Sequence, residues 1–127
     1  MAMTERAGLH LWRRALTASV RSDAPDMTAR QQAILMTIAL TPGPHTVRGL
    51  AEHLDIAKPA VTRALDALTR LEFIKRIRDE NDLRNIFIER TPEGMAYLRD
   101  FAGFILAATE ARDRPVERPG YSEAATA

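Results

Sequence analysis

The sequence predicts a mainly α-helical domain with one small β-hairpin, in the order α-α-α-α-β-β-α. Three observations support this. Apolar residues recur at three- and four-residue spacings through successive segments, the mark of amphipathic helices. At FIKRIR and NIFIE the pattern changes to short runs rich in β-branched and aromatic residues, separated by a polar turn. Thr91-Pro92-Glu93 then restarts a helix with a cap, a proline in the first turn and an acid beside it.

The elements follow in order. Leu9, Trp12, Leu16 and Val20 give the first helix, about Glu5 to Val20, an apolar stripe, with Arg13 and Arg14 off it. The polar stretch around Pro25 breaks it. Thr28-x-x-Gln31 is a capping box for a second helix whose inner face is Ile34, Leu35 and Ile38, and TPGP at 41–44 ends it. Thr46 caps a short third helix, VRGLAEHL, with Leu50 and Leu54 inward. After Asp55-Ile56-Ala57 a fourth helix runs from Lys58 or Pro59 to about Leu71, with Val61, Leu65 and Leu68 inside. The hairpin spans Phe73 to Glu89. The last helix runs to about Arg112 on Leu98, Phe101, Ile105 and Ala108. From Asp113 onward the chain is proline-rich, small and polar, and is expected to be disordered.

Composition narrows the function. The chain has 127 residues, 46% hydrophobic and 28% charged, which suits one globular domain. Its net charge of +1 says little about partners. With no cysteine there is no disulfide, thiolate metal site or cysteine redox sensor. No apolar run reaches the roughly 18 residues of a membrane span, and the charged N-terminus is unlike a secretory signal, so a cytoplasmic location is expected. Lys58 and Lys75 are the only lysines. Arginine suits phosphate and groove contacts, though the coding bias of a GC-rich genome gives the same excess.

No chemistry of catalysis is legible. The three serines, Ser19, Ser22 and Ser122, lie in terminal or linker segments without a nucleophile motif, and there is no glycine-rich phosphate loop. His45 and His53 have no ligand spacing, so neither a metal nor another cofactor is expected. Asp66 and Arg70, at i,i+4, read as a solvated face.

Two consecutive helices across a tight turn, followed by a hairpin, make a helix-turn-helix with a wing. The strings TVRGLAEHLDIAKPAVTRALDAL and FIKR, then Asp79, Asp82 and Arg84, then TPEG at 91–94, carry the reading further. In this order and spacing, residues Thr28 to Leu98 resemble the MarR family of bacterial transcription regulators. The resemblance implies a sequence-specific regulator of double-stranded DNA, with the fourth helix in the major groove. Its N-terminal residues Lys58, Pro59, Ala60, Thr62 and Arg63 would then meet base edges. Arg63 is the expected specific contact, because a guanidinium reaches guanine O6 and N7 together. Thr46 offers a hydroxyl and free N–H groups to a phosphate. The family's wing pattern implies that Arg84 enters the minor groove braced by Asp82, while Arg76 and Arg78 add backbone contacts. A solvated helix face and a charged hairpin tip that protects a sheet edge are the plainer readings of the same residues.

Departures from the family pattern are local. Asp55 replaces a usual glycine in the turn, Ala57 a serine cap, Glu72 a glycine at the helix exit, Arg90 a leucine, and Leu83 a frequent arginine. The resemblance further implies a homodimer joined through terminal helices. Leu9, Trp12 and Leu16 at one end, and Leu98, Phe101, Phe104 and Ile105 at the other, are the expected dimer residues. The expected organisation is residues 1–25 and 92–112 for dimerisation, 26–91 for DNA binding and 113–127 as tail. Many members respond to small aromatic acids, but no residue here calls for such an effector. The competing reading is a winged helix that docks protein, which near-zero net charge and a sparse wing tip would suit.

Overall fold

Every helix begins where the sequence offers a residue able to cap or open it. The computed structural model describes residues 2–111, which form five helices and one hairpin. Helix α1, Glu5–Arg21, starts at Thr4, whose hydroxyl oxygen accepts from the Ala7 N–H at 3.1 Å. Helix α2, Ala29–Leu40, starts with the reciprocal Thr28–Gln31 capping box, both bonds at 3.0 Å. Helix α3, Val47–Leu54, is capped by Thr46, and helix α4, Lys58–Arg70, follows after Asp55, Ile56 and Ala57. Strands β1, Ile74–Arg78, and β2, Ile86–Arg90, pair antiparallel with Ile74 opposite Arg90 and Arg78 opposite Ile86. Helix α5, Pro92–Glu110, closes the described chain. The expected continuation of this helix to Arg112 is not met: it ends at Glu110, and residues 112–127, with the expected tail, lie outside the described residues.

The core gathers the inward stripes of α2 through β2 and the start of α5. Ile34, Leu35, Leu50, Val61, Leu65, Leu68, Ile74, Ile88, Tyr97 and Leu98 form one cluster, and no polar or charged residue is buried among the described residues. Burial of such side chains contributes about 1.5–3 kcal/mol each, which makes this cluster the main stabiliser of the α2–β2 unit. Gln32 Nε2, donating to the Tyr97 hydroxyl at 3.1 Å, ties α2 to α5.

The junction after α4 explains the TPEG string. Glu72 sits in the left-handed region at φ 63°, a conformation that costs a non-glycine residue about 1–2 kcal/mol. Thr91 supports it by donating its hydroxyl to the Glu72 carbonyl at 2.6 Å while accepting from the Gly94 N–H at 3.0 Å. A Cβ at Gly94 would stand 2.2 Å from the Phe73 carbonyl oxygen, so only glycine allows α5 to approach this closely.

Helix α1 packs along α5, burying Ala15 completely. Trp12 meets Phe101 edge-on at 5.7 Å, and Phe101 continues to Tyr97 at 6.5 Å and Phe104 at 6.2 Å. This packing corrects the expected dimer residues on α5. Leu98 and Phe101 are 8% and 2% exposed, sealed in their own chain and unreachable by a second copy. Phe101 meets Trp12 of α1, and Leu98 belongs to the core cluster built on α2 through β2. Phe104 and Ile105 remain half-buried and Leu106 is exposed. On α1 the stripe Leu9, Trp12, Leu16 and Val20 faces outward, with Leu9 and Val20 each 74% exposed.

Candidate nucleic-acid interface

The outward face of α4 and the hairpin beside it carry the residues singled out in the sequence. The turn into α4 is made by Asp55 at φ 53°, ψ 49°, a left-handed position that aspartate accepts more readily than most residues. Ala57 makes no side-chain cap bond, Pro59 has no N–H to offer, and the Ala60 N–H donates to the Ala57 carbonyl at 3.0 Å. Proline in the first turn holds the helical φ there. Burial of Val61, Leu65 and Leu68 fixes the rotation of the helix and leaves Lys58, Pro59, Thr62 and Arg63 exposed.

Ala60 is the exception. It is 8% exposed and packs inward with Val61 and Ala64, so its methyl group does not reach a groove. Thr46 is half-buried, and its oxygen is occupied by the Gly49 N–H at 3.0 Å while its hydroxyl hydrogen remains a donor.

The hairpin tip is shaped by two aspartates. Asp79 Oδ1 accepts from the Asn81 N–H at 2.9 Å, and Asp82 Oδ1 accepts from the Arg84 N–H at 3.1 Å, each an Asx-type turn. Asp82 Oδ1 also lies 3.3 Å from Arg84 Nε, and the Arg84 side chain beyond it is 92% exposed. Leu83 is exposed next to it. Arg78 turns back to donate to the Leu83 carbonyl at 2.9 Å, so it braces the loop.

Arg76 is likewise engaged within the chain. Its Nη2 pairs with Asp66 Oδ1 of α4 at 2.7 Å, so the hairpin engages one carboxylate of the face that the Asp66 and Arg70 spacing marked as solvated. Arg76 lies on the strand face that meets α4, and strand register is what brings it there. Arg90, where the family has leucine, donates to the Ala39 carbonyl at 2.7 Å and satisfies an orphan group near the C-terminal end of α2. His45 lends its backbone to the hairpin: the Ile88 N–H donates to its carbonyl at 3.0 Å, which adds a one-residue third strand. These three links join residues far apart in sequence, and no local spacing signals them. Among the described residues, no three His, Asp or Glu side chains gather as a metal site, and no helix is long and apolar enough to cross a membrane.

Residues 27–86 match the family model described as MarR family. No curated protein sequence matches the chain. Among solved structures, a variant of S. aureus MepR bound to an oligodeoxyribonucleotide is similar with a TM-score of 0.72 at 22% identity, over 83% of this chain and 75% of that one. The S. aureus MepR–DNA complex gives 0.68 at 24% identity, over 83% of each chain. Streptococcus pneumoniae FabT in complex with DNA gives 0.67 at 22% identity, over 94% of this chain and 78% of that one. At such identities the likeness is one of fold, and the family assignment rests on the sequence match across the helices and hairpin just described. The winged helix-turn-helix of this chain, over residues 27–86, is thus similar to the MarR family in sequence and to its solved members in fold.

Proposed function

We propose that this chain is a sequence-specific, double-stranded DNA-binding transcription regulator that works in the cytoplasm as a homodimer, by binding and not by catalysis. The observation that carries the reading is Arg84, an arginine 92% exposed at the hairpin tip and steadied at its Nε by Asp82. A free arginine loses about 2 kcal/mol of rotamer entropy when it is immobilised, and a braced one loses less. A narrow minor groove rewards such a guanidinium through its negative potential. Lys58, Thr62 and Arg63 support the same reading, since α4 is held by its buried stripe with these three outward. The similar folds of MepR and FabT have both been solved with DNA, which favours this use of the surface.

The exposed stripe of α1 is the proposed dimer seam. Leu9, Trp12, Leu16 and Val20 form a contiguous apolar strip that a second copy would cover, with Phe104, Ile105 and Leu106 of α5 as further candidates. Residues 1–25 and 92–112 would thus serve assembly and 26–91 DNA reading, although α5 also completes the core of the reading unit through Tyr97 and Leu98. A two-fold dimer would read half-sites about one helical turn apart.

Selection of bound genomic fragments by the purified protein, followed by a salt titration on the selected site, tests this. A steep fall of log affinity with log salt is expected from several phosphate contacts. Failure to retain any fragment at low salt would overturn the reading.

A further inference from the structure

The strand face that meets α4 carries an apolar row outward from the core. Ile88 is buried, and Ile86, two residues nearer the turn on the same face, is 40% exposed. At the tip itself Leu83 is 61% exposed beside Arg84. A hairpin tip that only shields a sheet edge from pairing needs charge there, and leucine supplies none. The backbone under Leu83 is held on both sides. Its carbonyl accepts from Arg78 Nη1 at 2.9 Å, and the preceding Asp82 accepts from the Arg84 N–H at 3.1 Å. Settling this side chain on a surface therefore costs only its own rotamer freedom.

Charge at the tip points to the same residue. Residues 79–85 hold three carboxylates, Asp79, Glu80 and Asp82, against one cation, Arg84. Such a loop gains little as a whole from phosphate attraction, so an uncharged contact has to accompany Arg84 if the tip is to stay in a groove. Resting on the DNA-binding reading above, we propose that Leu83 is a minor-groove contact. Its side chain packs against deoxyribose C–H groups of the groove wall, next to the point where Arg84 enters. Proteins that bind the minor groove commonly bring apolar side chains into it alongside arginine. The contact works by burial of apolar surface and not by counterion release, so its contribution is independent of the salt slope.

The test uses the full chain on a genomic site selected by the parent protein. Affinity is measured across a salt series, and sugar exposure is read by hydroxyl-radical cleavage, which attacks deoxyribose from the minor groove. The parent should protect sugars on both flanks of the site. Leu83→Ala should weaken binding about three- to ten-fold with the log–log salt slope unchanged, and should uncover part of each protected flank at saturation. Leu83→Met should restore both affinity and protection. Leu83→Lys should steepen the slope by about one, because it sets a cation where the leucine lay. The position is exposed and its backbone bonds do not involve the side chain, so the fold should survive, which circular dichroism checks. If the parent retains no DNA, the regulator reading fails and this contact fails with it. If the parent binds, the contact alone is overturned by Leu83→Ala unchanged in affinity or footprint or altered in salt slope, or by a Leu83→Lys slope equal to the parent's.

Discussion

Arg76 Nη2 lies 2.7 Å from Asp66 Oδ1, and through this pair the first strand of the wing is clamped to the helix before it. The two side chains are 32% and 46% exposed, so screening keeps the effect on stability below about 1 kcal/mol. Its consequence is positional. It sets the wing against α4 and engages the Arg76 guanidinium within the chain.

Asp66→Asn should therefore free Arg76. On the proposed reading, affinity for unrelated DNA rises and the log–log salt slope steepens by about one, while preference for the selected site falls. Arg76→Gln in the same background should abolish the gain. Additive behaviour of the two changes in a double-mutant cycle would show that the clamp has no role.

Arg63 and Arg84 should fail differently. Arg63→Ala is expected to cost about 1–3 kcal/mol at the selected site and to relax base preference at one position of each half-site. Arg84→Ala should weaken binding chiefly where flanking sequence narrows the minor groove. Binding-site selection with each variant separates the two, and an unchanged profile for both would rule out the proposed mode.

Gly94→Ala should destabilise the fold by about 1–3 kcal/mol, since the new methyl would stand 2.2 Å from the Phe73 carbonyl, a backbone atom that cannot step aside. Denaturant midpoints measure this. A melt identical to the parent would mean that α5 can shift at no cost.

The α1 stripe and its neighbour on α5 give a paired test of assembly. Leu9→Glu with Val20→Glu alters two residues that are each 74% exposed, so the fold should survive while the dimer dissociates in light scattering. Phe101→Ala, at a residue 2% exposed, should instead cost about 3–5 kcal/mol and unfold the chain in the same assay. Unaltered mass for the double variant would remove α1 from the seam.

Two departures from the family pattern should be reversible with gain. Ala57→Ser offers α4 the cap bond it does not make and should add about 0.5–2 kcal/mol. Glu72→Gly relieves a left-handed residue and should add up to about 1 kcal/mol. Thermal melts of the two variants, and their sum in the double, check this.

The sequence by itself determined the elements, their order and the inward face of each reading-unit helix. Caps such as Thr28–Gln31 and Thr91, and stripes such as Val61–Leu65–Leu68, act within a few residues, so local spacing reveals them. It also located the turn positions Asp55, Ala57 and Glu72, each of which has the backbone its neighbours imply. Only the tertiary structure decided which apolar stripe is core and which is surface. Leu98, Phe101, Leu9 and Val20 all lie on apolar helical stripes, but Leu98 closes the core, Phe101 meets Trp12, and among the described residues Leu9 and Val20 stay 74% exposed. It likewise decided which charges are held, since Arg76–Asp66, Arg90–Ala39 and His45–Ile88 join elements that meet only when the core closes. A single helix face reports how apolar it is. What lies against that face is set by the packing of the other helices and of the hairpin.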